Sequence, residues 1–132
     1  MNLPYHYILD ENGNPRPTEN LEEWAEMFLQ PENREIARDR LVINGTEVLV
    51  STIFLAVDHG FGYSTKPVLY ETMIFGGHYD QEQWRYHDRS EALEGHQKAL
   101  KLVGRSSQID KIKNFFLQLK LAINKERQGI EE

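Results

Sequence analysis

Two apolar runs decide the fold of this chain: STIFLAVDHGFG at residues 51–62 and PVLYETMIFGGHYD at residues 67–80. Both runs are rich in β-branched and aromatic residues, which predicts two neighbouring strands. The unbroken apolar character of the first run indicates a central strand covered on both faces. The first run stops at Asp58 and His59, and the second stops at a glycine pair and His78. These polar ends belong either to a site or to the cap of a hairpin, and the sequence leaves both interpretations open.

The residues around these runs predict a helix followed by an antiparallel meander. Asn20 is suited to cap a helix over residues 21–29, because its side chain can accept hydrogen bonds from the first turn. Asn44-Gly45 indicates a type I′ turn before the first run, since such a turn needs positive φ at two positions. Strands that are neighbours in sequence tend to pair, so a meander is expected. The predicted strands cover residues 5–9, 35–42, 47–57 and 68–75.

Two helices are predicted after the sheet. The first begins after Asp88, covers residues 89–103 and ends with Gly104 in the C′ position. The second begins at Ser107 and covers residues 108–128, with an apolar face wider than a single stripe. Such a surface on a terminal helix is either deeply buried or an oligomer contact. The central stripe of that face consists of Ile109, Ile112, Phe116, Leu119 and Ile123.

Length and periodicity together predict one α+β domain. The chain has 132 residues, which is enough to bury a single core. Residues 1–128 are expected to form an antiparallel sheet of about four strands, an inserted N-terminal helix, and two C-terminal helices packed on one face. Residues 129–132 are expected to form a frayed tail.

Composition excludes several classes of function. The net charge of −6 argues against general nucleic-acid binding, which requires a basic surface. The chain has no cysteine, which excludes disulfides, thiolate metal sites and a cysteine nucleophile. No secretory signal is recognisable at the N-terminus, and no apolar run approaches the ~18 residues of a membrane span. We therefore expect a cytoplasmic protein that does not contact a membrane.

Histidines and carboxylates near the strand ends predict a candidate catalytic or metal site. Asp58 and His59 leave one strand, Glu71 lies on the next, and His96 lies on the helix expected to pack over the sheet. Two imidazoles and two carboxylates suit a divalent metal or an acid–base pair. Glu71 and His96 are the catalytic candidates, and Asp58, His59 and His96 are the metal-ligand candidates. The structural alternatives are a turn held by Asp58, a core histidine at position 96, and an ion pair between Glu71 and Arg85.

The segment GGHYDQEQWRYH at residues 76–87 is predicted to be a polar, aromatic-rich loop. Aromatic residues interleaved with arginine and histidine suit stacking on a base or on a partner protein's side chain. Trp84, Arg85 and Tyr86, together with Glu71, are therefore the predicted ligand-binding residues. The alternative is that Trp84 and Tyr86 pack onto the sheet as a lid. The glycine pair matches no phosphate-binding motif and is expected to form a tight turn with positive φ.

An ordered series of segments resembles a family of small proteins encoded by tailed bacteriophages and prophages. The segments are YILDENGNP, LEEWAEMF, REIARDR, VSTIFLAVDHGFG, PVLYETMIFGG and RYHDRSEALEGH. The resemblance covers residues 5–103 and departs from the family pattern at His78-Tyr79, where a proline and a small or apolar residue are usual. It implies a context and not an activity: an accessory, host-interaction or anti-defence protein that acts during infection by binding its target.

The leading hypothesis is a phage-encoded accessory protein in the host cytoplasm that binds a host protein or a small ligand such as a nucleotide. The first alternative is a metal-dependent hydrolase that uses Asp58, His59, Glu71 and His96. The second alternative is a structural or assembly protein that forms a homo-oligomer through residues 108–128. The balance of features favours binding over catalysis, and no cofactor is expected.

Overall fold

The computed structural model of the chain describes residues 5–131, with side chains for residues 5–105, 112–113 and 115–127. It shows a four-stranded antiparallel sheet, a separate two-stranded sheet and helices, which confirms the predicted α+β class. In chain order the elements are β1 (Tyr7–Leu9), β2 (Pro15–Pro17), α1 (Leu21–Phe28), a 3-10 turn (Pro31–Asn33), β3 (Glu35–Ile43), β4 (Thr46–Phe54), β5 (Tyr70–Phe75), β6 (Gln83–Tyr86) and α2 (Arg89–Glu131).

The larger sheet is an antiparallel meander in the order β3-β4-β5-β6. The strand predicted at residues 5–9 is not part of it, because β1 pairs with β2 instead. The last strand is β6, which pairs with β5 and falls in the segment predicted to be a loop. With only 4 residues, β6 is too short to show a clear alternating pattern in the sequence. The sheet thus has the expected number of strands with one unexpected member.

Two tight turns of the sheet depend on residues with positive φ. Asn44 has φ 51° and Gly45 has φ 82°, which confirms the type I′ turn between β3 and β4. Gly76 has φ 89° and Gly77 has φ 75°, as expected for a glycine pair that forms a turn. A Cβ at Gly76 would lie 2.5 Å from the carbonyl oxygen of Glu47, so a side chain is excluded there.

The sheet has one buried and one open face, so the prediction that β4 is covered on both faces is wrong. Buried and partly exposed residues alternate along β4. Because its strands form a meander, the chain needs no crossover helix on the open face. The helix α2 packs only on the buried face. The buried positions of β4 are Val48, Val50, Thr52 and Phe54.

The buried face contains two apolar clusters. One lies between the sheet and α2, and the other includes residues of α1. Because α2 contacts all four strands, its N-terminal half lies over the sheet. The first cluster contains Val48, Val50, Ile74, Ala99 and Val103. The second contains Phe54, Ala56, Leu69, Tyr70 and Ala92, with Trp24 and Phe28 of α1 packed against it.

The two predicted C-terminal helices are one continuous helix, α2, of 43 residues. Its N-cap is Asp88 as predicted, because the Asp88 carboxylate accepts a hydrogen bond from the Glu91 amide at 2.8 Å. Gly104 does not end the helix, which corrects the predicted boundary. Glycine inside a helix costs only about 1 kcal/mol, so a single glycine does not have to end the helix. At 1.5 Å per residue, α2 is about 64 Å long.

The C-terminal half of α2 extends beyond the core. Every described side chain from Arg105 onward is exposed. The predicted frayed tail at residues 129–132 falls outside the described side chains and stays a prediction. Among the described residues, no helix is long and apolar enough to cross a membrane.

Candidate functional site

The predicted ligand-binding residues lie on two opposite faces of the sheet. Trp84 and Tyr86 face α2, whereas Arg85 lies between them on β6 and points to the open face. Glu71 is the direct cross-strand neighbour of Arg85 and shares that open face. Successive side chains of a strand point to opposite faces, so three consecutive residues of β6 cannot line one surface. The predicted set of four residues is therefore divided into two pairs.

Glu71 forms an ion pair with Arg85, as one of the two sequence-based interpretations proposed. The Nε atom of Arg85 donates to Oε2 of Glu71 at 3.0 Å. The Glu71 side chain is 13% exposed and that of Arg85 is 42% exposed. A largely covered carboxylate among apolar neighbours is thus compensated by a charge on the adjacent strand.

Asp58 and His59 hold the turn after β4. The Asp58 carboxylate accepts hydrogen bonds from the amides of Gly60 at 2.8 Å and Val68 at 2.9 Å. Nδ1 of His59 lies 3.0 Å from the carbonyl oxygen of Val57. These contacts match the predicted turn and leave the Asp58 carboxylate occupied by backbone donors.

The four residues of the predicted metal or catalytic cluster do not come together. Glu71 is on the open face with Arg85, and His96 is buried on the other face between α2 and the sheet. Within residues 5–131, as far as the structure describes them, no group of three or more His, Asp or Glu residues is placed to hold a metal ion. The geometry therefore gives no support to the hydrolase alternative.

His96 is instead the centre of a buried hydrogen-bond chain. The residue is 1% exposed, and its Nδ1 lies 2.7 Å from the Thr52 hydroxyl. Its Nε2 lies 2.7 Å from Oδ2 of Asp39, a side chain that is half exposed. Thr52 continues to the hydroxyl of Thr72 at 2.6 Å, and the Thr72 side chain interacts in turn with the Tyr86 phenol. One residue from each strand of the larger sheet thus joins one residue of α2.

The hydrogen bonds of this chain run in a single direction when His96 is neutral. An ionised carboxylate can only accept, so Nε2–H of His96 donates to Asp39. Nδ1 then carries no proton and accepts from Thr52. Because each hydroxyl has one proton, Thr72 donates to Thr52. The chain thus satisfies its buried polar atoms from the surface at Asp39 to the hydroxyl of Thr72.

Tyr86 connects this chain to a cleft between β6 and α2. The cleft has a volume of about 570 Å³, and Trp84 and Tyr86 form its sheet side. Its floor includes Gly95 and Ala99, which are buried in α2. Burial raises the pKa of the Tyr86 phenol, and its hydrogen bond with Thr72 acts in the opposite direction. Trp84 is 36% exposed, so part of its ring faces the cleft.

Charged side chains follow the cleft along one face of α2. Glu91 and Glu94 lie towards the start of the helix, and Lys98, Lys101 and Arg105 lie further along it. Their spacing of three or four residues places them in one row. The cleft is therefore acidic at one end and basic at the other. The aromatic wall formed by β6 lies along its other side.

Several residues of this site escaped the sequence-based prediction. Asp39, Thr52 and Thr72 were missed, although a threonine on the buried face of an apolar strand signals a hydrogen-bond partner inside the core. Gly95 was not among the predicted site residues either. It admits the Tyr86 side chain, because a Cβ at this position would overlap the phenol ring.

No family model, curated protein or solved structure matches this chain. The resemblance to a phage and prophage family therefore stays a prediction. The cleft between β6 and α2 is the feature from which a function can be argued.

Proposed function

We propose that this chain is a binding protein whose cleft between β6 and α2 takes a planar anionic ligand such as a nucleotide. The observation that carries this proposal is an aromatic wall, Trp84 and Tyr86, opposite the basic side chains of Lys98, Lys101 and Arg105 in one cavity. A volume of about 570 Å³ lies within the 300–1,000 Å³ that is usual for small-molecule sites.

The aromatic wall supplies a stacking surface. A base stacked on an aromatic side chain gains about 1–3 kcal/mol, with little dependence on which base it is. Trp84 keeps about a third of its surface free for such a contact. Tyr86 is held in place by Thr72 and by Gly95, so this part of the wall is ordered before a ligand arrives. An ordered wall reduces the entropy lost on binding.

The charged row supplies contacts for the other parts of a nucleotide. Lys98, Lys101 and Arg105 are suited to phosphate oxygens, since ammonium and guanidinium groups form charge-assisted hydrogen bonds with them. Glu91 and Glu94, at the acidic end, are suited to accept from the hydroxyl groups of a sugar or from an exocyclic amine. This opposite placement of the two charges favours a ligand with one anionic end and one donor-rich end.

Catalysis is not supported by the arrangement around His96. Asp39, His96 and Thr52 follow the order carboxylate, imidazole and hydroxyl that activates a nucleophile in many enzymes. However, Thr52 and His96 are 0% and 1% exposed, so a substrate cannot reach that hydroxyl. We assign this group to holding the sheet and α2 together. If the phage resemblance holds, the protein is an accessory factor that binds a small molecule or protein of the host.

Thermal-shift and calorimetric titrations with adenine and guanine nucleotides test this proposal. We expect one class of nucleotide to raise the melting temperature of the wild-type protein by several degrees. Trp84→Ala and Lys98→Glu should abolish that shift. Lys66→Glu changes another exposed lysine, which lies outside the cleft, and should bind like the wild type. The proposal fails if no nucleotide produces a shift, or if Trp84→Ala binds with unchanged affinity.

A further inference from the structure

The C-terminal half of α2 presents a row of large apolar side chains to solvent. Seven of them between Ile112 and Ile123 are 45–65% exposed. Of the two alternatives that the sequence left open, deep burial within one chain is therefore not realised in the described residues. The seven are Ile112, Phe115, Phe116, Leu117, Leu119, Leu121 and Ile123.

Five apolar residues of this segment follow a heptad spacing. Their separations are 3, 4, 3 and 4 residues, which alternates between the a and d positions of a coiled coil. The a positions are Ile109, Phe116 and Ile123, and the d positions are Ile112 and Leu119. Phe115 borders the same stripe, whereas Leu117 lies on the opposite side of the helix, since each residue turns it by about 100°.

We infer that residues 109–127 of α2 pair with the same segment of a second copy of this chain, as a parallel coiled coil. The stripe is self-complementary in size and spacing, as contact between identical helices requires. Its neighbour in the sequence is the first half of α2, which contacts the sheet and anchors the segment. Two such segments would extend side by side from their two domains.

The charges beside the stripe determine the orientation. The e positions hold Lys113, Lys120 and Arg127, all basic. In an antiparallel pair the e positions of the two helices face each other, so these cations would repel. In a parallel pair each e position faces a g position, which holds Phe115 or Ala122, and the aliphatic stems of the cations cover apolar surface.

The area of the stripe indicates how tightly two copies should associate. At about 100 Å² of exposed surface for each half-exposed side chain, its four described members and the bordering Phe115 contribute roughly 500 Å² per copy. A total of about 1,000 Å² is at the low end for specific interfaces. We therefore expect a dimer that forms and dissociates with concentration. The four members are Ile112, Phe116, Leu119 and Ile123.

Sedimentation equilibrium over a range of concentrations tests the pairing. The wild-type mass should rise from 15.5 kDa towards twice that value. Leu119→Glu should stay monomeric, because it places a charge in the stripe. Leu117→Glu is the matched control on the opposite side and should dimerise like the wild type. Circular dichroism of both variants should show unchanged helix content.

Three results would overturn this inference. One is a wild-type protein that stays at the monomer mass at its highest soluble concentration. The second is an equal loss of association in both variants, which would exclude the stripe as the interface. The third is a monomeric wild type that sediments with phosphatidylserine vesicles, because the basic apolar helix would then be a membrane-surface element.

A single introduced cysteine tests the orientation, since the chain contains none of its own. In a parallel pair, Ile112→Cys lies beside its own counterpart and should oxidise to a disulfide-linked dimer. In an antiparallel pair, Ile112 lies beside Ile123 of the second copy, about 16 Å from its counterpart. Cross-linking only in a mixture of Ile112→Cys and Ile123→Cys would overturn the parallel arrangement.

Discussion

The phenol of Tyr86 packs directly against the backbone of Gly95, so that β6 and α2 approach each other as closely as a ring and a glycine allow. The contact lies at the floor of the cleft and beside His96, whose imidazole continues into the buried hydrogen-bond chain. Glycine has a low helix propensity. At position 95 of α2, however, its small size allows the close contact with Tyr86, which lies beside both the cleft and the buried hydrogen-bond chain.

Gly95→Ala should destabilise the protein, and Gly104→Ala should stabilise it. A Cβ at Gly95 would overlap the Tyr86 ring, and overpacking of this kind costs about 1–3 kcal/mol. A Cβ at Gly104 would meet nothing within 4 Å, so the change gains helix propensity of up to about 1 kcal/mol. Urea unfolding of both variants measures the two effects. Equal effects would show that the Tyr86 contact does not constrain position 95.

Thr52→Val should lower the free energy of unfolding by about 1–3 kcal/mol, because Nδ1 of His96 would lose its donor while staying buried. Thr46→Val is the matched control at an exposed position of the same strand, and it should change stability by less than about 0.5 kcal/mol. Nitrogen NMR of the wild type should show Nε2 of His96 protonated and Nδ1 not. The opposite tautomer would contradict the direction of the hydrogen-bond chain.

Tyr70→Phe should leave stability unchanged or raise it by about 1 kcal/mol. The Tyr70 hydroxyl is buried and, within the described part of the chain, has no hydrogen-bond partner. Removing an unsatisfied hydroxyl removes its desolvation cost. Tyr86→Phe is the contrasting change, since it deletes a hydroxyl that interacts with Thr72, and should cost about 1 kcal/mol. A loss of stability in Tyr70→Phe would contradict the prediction that this hydroxyl has no hydrogen-bond partner.

Local patterns in the sequence predicted the parts of the fold that depend on neighbouring residues. Asn44-Gly45 and Asp88 were recognised because positive φ and N-capping are properties of one or two residues. The predicted helix end at Gly104 was wrong because the cost of one glycine, about 1 kcal/mol, is too small to stop a helix by itself. The short strand β6 was missed because it exists through its pairing with β5.

The candidate site was predicted only in part, because it too depends on strand pairing. Trp84 and Tyr86 line a cleft, as expected for binding residues. Arg85 points to the opposite face, because side chains alternate along β6, and β6 was not recognised as a strand. The contact of His96 with Asp39 joins residues 57 positions apart in sequence. Only the register of the sheet and the packing of α2 bring them together, and neither follows from spacing along the chain.

Stability should fall at alkaline pH because of buried tyrosines. Burial raises the pKa of Tyr7, Tyr70 and Tyr86 above the usual value of 10.0. As pH passes 10, the unfolded chain loses these phenol protons first and binds fewer protons than the folded protein. The free energy of unfolding therefore decreases as the pH rises above about 10. Below about pH 10 the three phenols make their full contribution to stability.

Absorbance of tyrosinate during a pH titration, followed together with circular dichroism, measures this effect. Part of the tyrosine signal should appear only above pH 10 and should coincide with loss of helix. In Tyr70→Phe one of the raised groups is absent, so the decline of stability with pH should be shallower than in the wild type. Ionisation of all tyrosines near pH 10 without unfolding would contradict the burial of these three phenols.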